Sequence, residues 1–183
     1  MTRTVAVIVG SLRKDALTRK LAHGLAALAP ANLKFDFVNV DMPLYNQDLE
    51  TDNPPAAWTA FREKVKAADA VLFVTPEYNR SISAPTKNAV DVGSRPWGKN
   101  VFDKKPTAIV SGSVGALGGF GANHHLRQSV TVLNALVMPA PETFIHMHDK
   151  FFDADGKIAD ERQRAYLTKV METFAAWIEQ QLK

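Results

Sequence analysis

The sequence predicts an α/β fold in which one five-stranded parallel sheet is covered by helices on both faces, giving a three-layer sandwich. Three observations support this prediction. Short apolar runs rich in β-branched residues recur along the chain, segments with a helical apolar stripe alternate with them, and neither a repeat nor a linker interrupts the alternation. Since 183 residues can bury one full core, we expect residues 1–183 to form a single domain.

The first half of the chain contains three of the predicted strands. Its opening apolar run, residues 4–9, is bounded by Gly10, which is typical of a central strand buried on both faces. Leucines spaced four, four and three residues apart then predict a helix from Leu17 to Leu28, ending before Pro30. The other predicted elements of this half are a strand over 34–40, a loop over 41–55, a helix over 56–66, a strand over 70–75, a loop over 77–85 and a short helix over 86–92.

The second half of the chain contains the other two strands. The fifth strand carries two prolines, which cannot donate to a sheet ladder, so we expect it at an edge of the sheet. A stripe of Leu126, Val130, Leu133 and Val137 supports a helix before it. The predicted elements of this half are a strand over 106–111, a glycine-rich turn, a helix over 120–136, the edge strand over 138–147 and a last helix over 160–182.

The strand order decides where a ligand would bind. The pattern alone does not give this order. If it is 2-1-3-4-5, the topological switch lies between the first and third strands, and ligands bind beyond the carboxyl ends of those strands. The loops at that point cover residues 10–18 and 76–85.

The amino-acid composition excludes several classes of function. The chain has no cysteine, which excludes disulfides, thiolate catalysis and cysteine-bound metals. The net charge of +3 is small, and the basic residues are dispersed, so we expect no nucleic-acid partner. The N-terminal segment lacks the layout of a signal peptide and no run reaches the roughly 20 apolar residues of a membrane span, so we expect a cytoplasmic protein without membrane contact.

The sequence also predicts no metal site. His146 and His148 share a strand face, but no carboxylate lies at a useful spacing from them. Residues 151–156 resemble the opening of a calcium loop, yet Lys157 stands at an acidic position and the closing glutamate is absent. We therefore interpret this segment as a β-turn.

The loop after the first strand suits a phosphate. Amides at a helix N-terminus carry the positive end of the helix dipole, and Ser11, Arg13 and Thr18 would add two hydroxyls and a guanidinium. The loop matches neither the Walker pattern nor the Gly-x-Gly-x-x-Gly turn, which argues against ATP hydrolysis and classical NAD binding. The alternative is an ordinary strand-to-helix turn in which Ser11 and Asp15 act only as caps.

Two further loops follow parallel strands at the same edge of the sheet. The rigid turn at 75–80 carries an aromatic ring and an amide, which can flank a flat heteroaromatic ring. The Gly-rich segment 111–119 lets backbone approach a ligand closely. Each loop alone could be a plain surface turn, but three such loops meeting at one edge favour a shared ligand.

Taken together, these segments resemble the NADPH-dependent FMN reductase family, most of all its chromate- and quinone-reductase branch, over nearly the whole chain. The motifs that carry the resemblance are Gly10-Ser-Leu-Arg13, Pro76-Glu-Tyr-Asn79 with Lys87-Asn-Ala89, and Gly115 through Gly119 followed by His125-Leu-Arg-Gln128. The resemblance implies a flavodoxin-like fold with strand order 2-1-3-4-5, tightly bound FMN, and NADPH or NADH as co-substrate. It also implies a homodimer or homotetramer and two-electron reduction of quinones, azo dyes, free flavin or oxyanions such as chromate.

The resemblance further implies which residues bind the cofactor. It places Ser11, Arg13 and Thr18 at the FMN phosphate, and family members carry a small residue and a serine where this chain has Asp15 and Ala16. Our hypothesis is that Asp15 caps the first helix with its carboxylate turned from the phosphate. The full predicted set is Ser11, Arg13, Asp15, Ala16, Leu17, Thr18, Pro76, Glu77, Tyr78, Asn79, Ser113, Gly115 and Gly118.

We predict no catalytic side chain, because the flavin would carry the hydride chemistry at its N5 atom. Two alternatives remain open at this point. One is a flavodoxin-type electron carrier, against which the positive net charge argues. The other is a flavin-binding regulatory module without turnover. The helix over 120–136 could also bury against a second subunit, and Trp97 is the tryptophan expected nearest to a neighbouring site.

Overall fold

The computed structural model describes residues 1–183 and contains one seven-stranded sheet. Its main path runs β2-β1-β3-β5, and all of these neighbours pair in parallel. Two short strands, β6 and β7, pair in succession with β5, while β4 forms an antiparallel hairpin with β3. The strands are β1 (Arg3–Val9), β2 (Leu33–Phe37), β3 (Ala70–Tyr78), β4 (Ser81–Ile82), β5 (Pro106–Ser113), β6 (Leu136–Val137) and β7 (Thr143–His146).

Helices cover both faces of this sheet. Val5 and Val7 of β1 belong to a core of 23 buried residues on the face of the first and last helices. Ala6 and Ile8 point the other way, into a core of 19 buried residues under the three middle helices. The similar size of the two cores explains why the strand reads as a continuous apolar run. The helices are α1 (Leu17–Leu28), α2 (Ala56–Ala67), α3 (Ala84–Gly93), α4 (Phe120–Thr131) and α5 (Glu161–Gln181).

The predicted fold and strand order are confirmed, if β6 and β7 are counted as one interrupted edge strand. The edge strand predicted over 138–147 begins too early: Pro139 and Pro141 lie in the gap between the two short strands, and only β7 falls within the predicted range. No helix combines the length and the apolar character that crossing a bilayer requires.

Three further element boundaries in the prediction are wrong by three residues or more. The second strand ends at Phe37 rather than at residue 40, although the Val38 amide still bonds the Val7 carbonyl. The fourth helix ends at Thr131 rather than 136, because Asn134 adopts a left-handed conformation with φ of 60° and reverses the chain into β6. The third strand continues through Pro76 to Tyr78, where a loop was expected.

The loop over 41–55 is tied to the helices of the second core. The buried Asn88 accepts from the Tyr45 amide at 2.8 Å and donates to the Pro43 carbonyl at 3.0 Å. The indole of Trp58 donates to the same carbonyl at 2.9 Å. These bonds satisfy a loop backbone that has no ladder of its own.

The turn after β7 has the conformation that the sequence indicates. Phe152 and Ile158 form an isolated antiparallel bridge around it, and Gly156 lies at a φ of 78°. The Asp153 carboxylate accepts from the Lys157 amide at 2.8 Å. The interpretation of this segment as a β-turn is confirmed.

Candidate functional site

Residues of the three loops line one cleft at the carboxyl ends of β1, β3 and β5. The cleft is partly open, and its volume is about 160 Å³. Four of the predicted cofactor residues, Asp15, Asn79, Gly115 and Gly118, do not line it. The lining residues are Ser11, Arg13, Ala16, Leu17, Thr18, Pro76, Glu77, Tyr78, Gly112, Ser113, Val114 and Met147.

The start of α1 forms one end of this cleft and lacks a cap. The N-cap residue is Ala16, which has no side-chain acceptor, and the first turn holds no acidic residue. As a result, the amides of Leu17 and Thr18 have no acceptor within the chain. Arg13, which also lines the cleft, has no ion pair. Uncapped amides beside a free guanidinium form a site for an anion.

The hypothesis that Asp15 caps α1 is wrong. The side chain of Asp15 makes no hydrogen bond, and the cap position belongs to the next residue, Ala16. The physical reason is the backbone: Ala16 has the extended conformation of an N-cap, with φ of −66° and ψ of 131°, and its carbonyl accepts the first helical bonds from Arg19 and Lys20. The alternative that Ser11 and Asp15 serve only as helix caps fails for the same reason.

A chain of buried hydroxyls fixes the first loop against β3 and α3. Ser83 donates to the Gly10 carbonyl at 2.6 Å, and its hydroxyl contacts that of Thr86 at 2.9 Å. Thr86 in turn contacts Thr75 at 2.9 Å. A methyl group on Gly10 would lie 2.0 Å from the Thr86 hydroxyl, so only glycine fits at this point.

The second loop is a tight hairpin between β3 and β4. Asn79 and Arg80 form its tip with φ of 52° and 64°, the left-handed pair that a two-residue hairpin turn requires. Asn79 therefore acts as a turn residue and lies outside the cleft lining. Tyr78 remains 53% exposed at the cleft, so its ring is available to a ligand.

Glu77 joins this hairpin to the start of α4. One carboxylate oxygen accepts from the Ala122 amide at 3.0 Å, and the other accepts from Arg80 at 3.1 Å. The N-cap of α4, Gly119, has no side-chain acceptor, so Glu77 caps the helix from another element. A carboxylate at this position also complements the helix dipole.

Replacing Glu77 with alanine is expected to lower the free energy of unfolding by about 1 kcal/mol, the usual cost of a lost cap. The matched variant Glu77→Gln retains one carbonyl acceptor for the Ala122 amide and should lose less. Urea midpoints of both variants at constant m-value measure the difference. A Glu77→Ala midpoint equal to that of the parent protein would show that the cap contributes no stability.

The third loop places backbone at the cleft by contact with β7. Gly118 has φ of 60°, and a methyl group there would lie 2.7 Å from the Ile145 amide nitrogen. Its carbonyl accepts from the Ser111 hydroxyl at 3.2 Å. Gly118 therefore holds the loop from behind, Gly115 lies in the same loop outside the cleft lining, and Ser113 and Val114 line the cleft.

Three lining residues were not predicted: Gly112, Val114 and Met147. Gly112 and Val114 are sequence neighbours of Ser113, and their position after a parallel strand was the available signal. Met147 comes from the segment after β7, and nothing in its local sequence marks it. Its side chain lies within 3.1 Å of the methyl position at Gly112, which shows how closely the two segments pack.

The histidines form no group of three or more potential metal ligands with acidic residues. His148 instead contacts Asp160 at 3.0 Å, a carboxylate that sequence spacing did not reveal. The Gln163 amide and then His148 hold the pKa of Asp160 below its usual range, and Asp160 is the N-cap of α5. This pair is a helix-capping contact.

Comparison with known proteins adds an independent line of evidence. The model of the NADPH-dependent FMN reductase family matches residues 3–150. A quinone reductase of Pseudomonas putida is 50% identical over 176 residues, which cover 96% of this chain and 94% of the relative. A 2-hydroxy-1,4-benzoquinone reductase of Burkholderia sp is 46% identical and covers 97% of both chains. Among solved structures, the flavoenzyme NAD(P)H:(acceptor) oxidoreductase FerB of Paracoccus denitrificans has a TM-score of 0.93 at 38% identity, covering 98% of this chain and 99% of that chain.

Proposed function

The chain belongs to the NADPH-dependent FMN reductase family, and from this premise we propose that its three-loop cleft holds FMN and that its acceptor is a quinone. The protein is an NAD(P)H-dependent, FMN-containing oxidoreductase of the quinone reductase type that acts on small-molecule electron acceptors. The observation that carries the proposed site is the uncapped start of α1 beside the unpaired Arg13.

The residues present fit FMN at both ends of the cleft. At the phosphate end, the amides of Leu17 and Thr18 and the hydroxyls of Ser11 and Thr18 supply donors, and Arg13 supplies charge. At the ring end, Pro76 and Gly112 lie side by side on the paired strands β3 and β5, and together with Tyr78 and Met147 they line the cleft with apolar surface for a flat ring.

When bound, FMN supplies the redox chemistry, accepting a hydride at N5 from NADPH or NADH and passing two electrons to the acceptor. The protein's own part is placement. The amide of Val114, a lining residue, has no acceptor within the chain and is suited to bond the polar edge of a ring. The amide of Asn79, next to the lining residue Tyr78, also has no acceptor within the chain, and we propose the same role for it. Gly118 holds the third loop, Gly115 belongs to the same loop, and Asp15 and Ala16 flank the phosphate end.

The test is the visible spectrum of the purified protein, followed by rapid mixing with NADPH. We expect a yellow protein whose flavin absorbance bleaches within one turnover and returns on addition of a quinone. A yellow protein that does not bleach would support an electron carrier or a regulatory module instead. A colourless protein that binds no added FMN would overturn the proposed site.

We further propose that the protein works as a homodimer or homotetramer in the cytoplasm. Two observations favour an oligomer. The cleft of one copy, at about 160 Å³, is smaller than the roughly 300 Å³ of ordinary small-molecule sites, so a bound ring would be only partly enclosed. Trp97 and Val132 are 88% and 81% exposed and line the same surface cavity, an apolar patch of the kind that a second subunit covers. Azo dyes, free flavin and chromate are further acceptors to assay.

A further inference from the structure

A second cavity lies at the carboxyl ends of β1 and β2, where no role has been assigned. Its volume is about 350 Å³, within the range of small-molecule sites. The floor is apolar and nearly buried, formed by Val9, Val38 and Val40. The remaining lining residues are Leu12, Arg19, Phe37, Asn39 and Asp41.

This cavity and the three-loop cleft share a wall. Ser11 and Arg13 line the cleft, whereas Leu12, between them, lines the second cavity. The same alternation occurs at the start of α1, where Thr18 lines the cleft and Arg19 the cavity. A ligand held at the phosphate end of the cleft is therefore separated from the second cavity by one loop.

The charge at this wall is net positive, because Arg13, Lys14 and Arg19 outnumber the one carboxylate of the shared loop, Asp15. Arg19 makes no ion pair and no side-chain hydrogen bond, and the same is true of Arg13 and Lys14 on the shared loop. Asp41 is the one carboxylate among the lining residues, and its amide bonds the Asn39 side chain at 3.0 Å. An anion beside Arg19 would be favoured, with a hydrogen-bond acceptor on the far side.

An apolar floor, a carboxylate and an arginine together match the base, the ribose and the phosphate of an adenylate. A flat apolar base suits the valine floor, with the Asn39 amide available to its polar edge. The carboxylate of Asp41, which lines the cavity four residues beyond the end of β2, would accept from ribose hydroxyls, the role that an acidic residue has in other doubly wound sheets. Arg19 would bond the phosphate next to the shared loop.

We propose that the second cavity is an adenylate subsite, which takes the adenosine monophosphate half of a dinucleotide whose flavin half occupies the three-loop cleft or whose nicotinamide half contacts the FMN held there. The proposal rests on the proposed function. Two dinucleotides carry this half: FAD, bound in place of FMN, and the reduced nicotinamide co-substrate.

The direct test is calorimetric titration of the FMN-loaded protein and of the apoprotein with 5′-AMP. We expect saturable binding that weakens roughly tenfold in Arg19→Ala, as for a lost charge-assisted bond. Lys20→Ala is the matched control, since it removes the same charge one position along α1 without touching the cavity lining. The Arg19 side chain is exposed and makes no hydrogen bond or ion pair within the chain, so its variant should fold normally.

Two further measurements identify the source of the adenylate. If FAD is the source, FAD binding to the apoprotein weakens in Arg19→Ala while FMN binding is unchanged. If the nicotinamide co-substrate is the source, its KM rises about tenfold, while the KM for reduced nicotinamide mononucleotide, which has no adenosine, stays the same.

Absence of 5′-AMP binding, or equal losses in Arg19→Ala and Lys20→Ala, would overturn the subsite. The proposed function would then still stand if the protein binds FMN and bleaches with NADPH. Conversely, binding of 5′-AMP without any binding of FMN would contradict the proposed function and would still support the second cavity as a nucleotide site.

Discussion

Replacing Gly10 with alanine is expected to weaken FMN binding by tenfold or more and to lower the free energy of unfolding by about 1–3 kcal/mol. The added methyl group would lie 2.0 Å from the Thr86 hydroxyl and 3.0 Å from the Ser83 hydroxyl, both of them buried. To avoid this clash, the first loop must move away from α3, and this movement displaces Ser11 and Arg13. Quenching of FMN fluorescence and urea unfolding measure the two effects.

A double-mutant cycle with Thr86→Ala separates this contact from a general loss of packing. If the clash with the Thr86 side chain is the cause, the double variant should regain part of the lost stability relative to the sum of the single variants. Recovery should be incomplete, because the Ser83 hydroxyl and the Pro76 ring lie within 3.1 Å of the same methyl position. Strict additivity of the two changes would contradict the explanation.

Replacing Gly118 with alanine is expected to be at least as harmful, with a loss of about 2–5 kcal/mol in stability. Two costs add. A non-glycine residue is strained at φ of 60°, and the new methyl group would lie 2.7–2.8 Å from backbone atoms of Phe144 and Ile145, which cannot rotate away. Since the loop carries Ser113 and Val114 into the cleft, FMN affinity should fall with stability.

Gly115→Ala is the matched control for this prediction. Gly115 belongs to the same loop but has no positive φ, and its nearest neighbour would be the Ser113 hydroxyl at 3.5 Å, an ordinary contact. We expect this variant to match the parent protein in urea midpoint and FMN titration. A Gly118→Ala protein as stable as Gly115→Ala would show that the loop can move without cost.

Much of the fold could be predicted because its strands are buried on both faces. Strand β1 is an unbroken apolar run and α1 carries a leucine stripe, so the type and the position of both elements can be predicted from the sequence. The sequence does not predict the β3–β4 hairpin, because its turn uses Asn79-Arg80 instead of Asn-Gly and because Pro76 is typical of a strand end. The α4 stripe continued to Val137 by coincidence, since a left-handed residue ends the helix without glycine.

The candidate site was predictable where local chemistry and topology coincide. Ser11 and Thr18 flank a helix start, and a helix start after a parallel strand points to an anion. Contacts between distant segments were not predictable. The cap that Glu77 provides to α4 spans 45 residues, and Met147 reaches the cleft only because β7 pairs with β5. The role of Asp15 depended on a backbone angle at Ala16, which no side-chain pattern encodes.

Because the N-terminus of α1 is uncapped, the thermal stability of this protein depends on the concentration of its cofactor. A ligand that binds only the native state raises the melting temperature with its own concentration, and at one hundred times its dissociation constant it adds about 2.7 kcal/mol. Protein made during flavin starvation would therefore open more often at the first helix and be degraded sooner. A shortage of FMN would therefore lower the amount of the enzyme as well as the fraction of it that carries the cofactor.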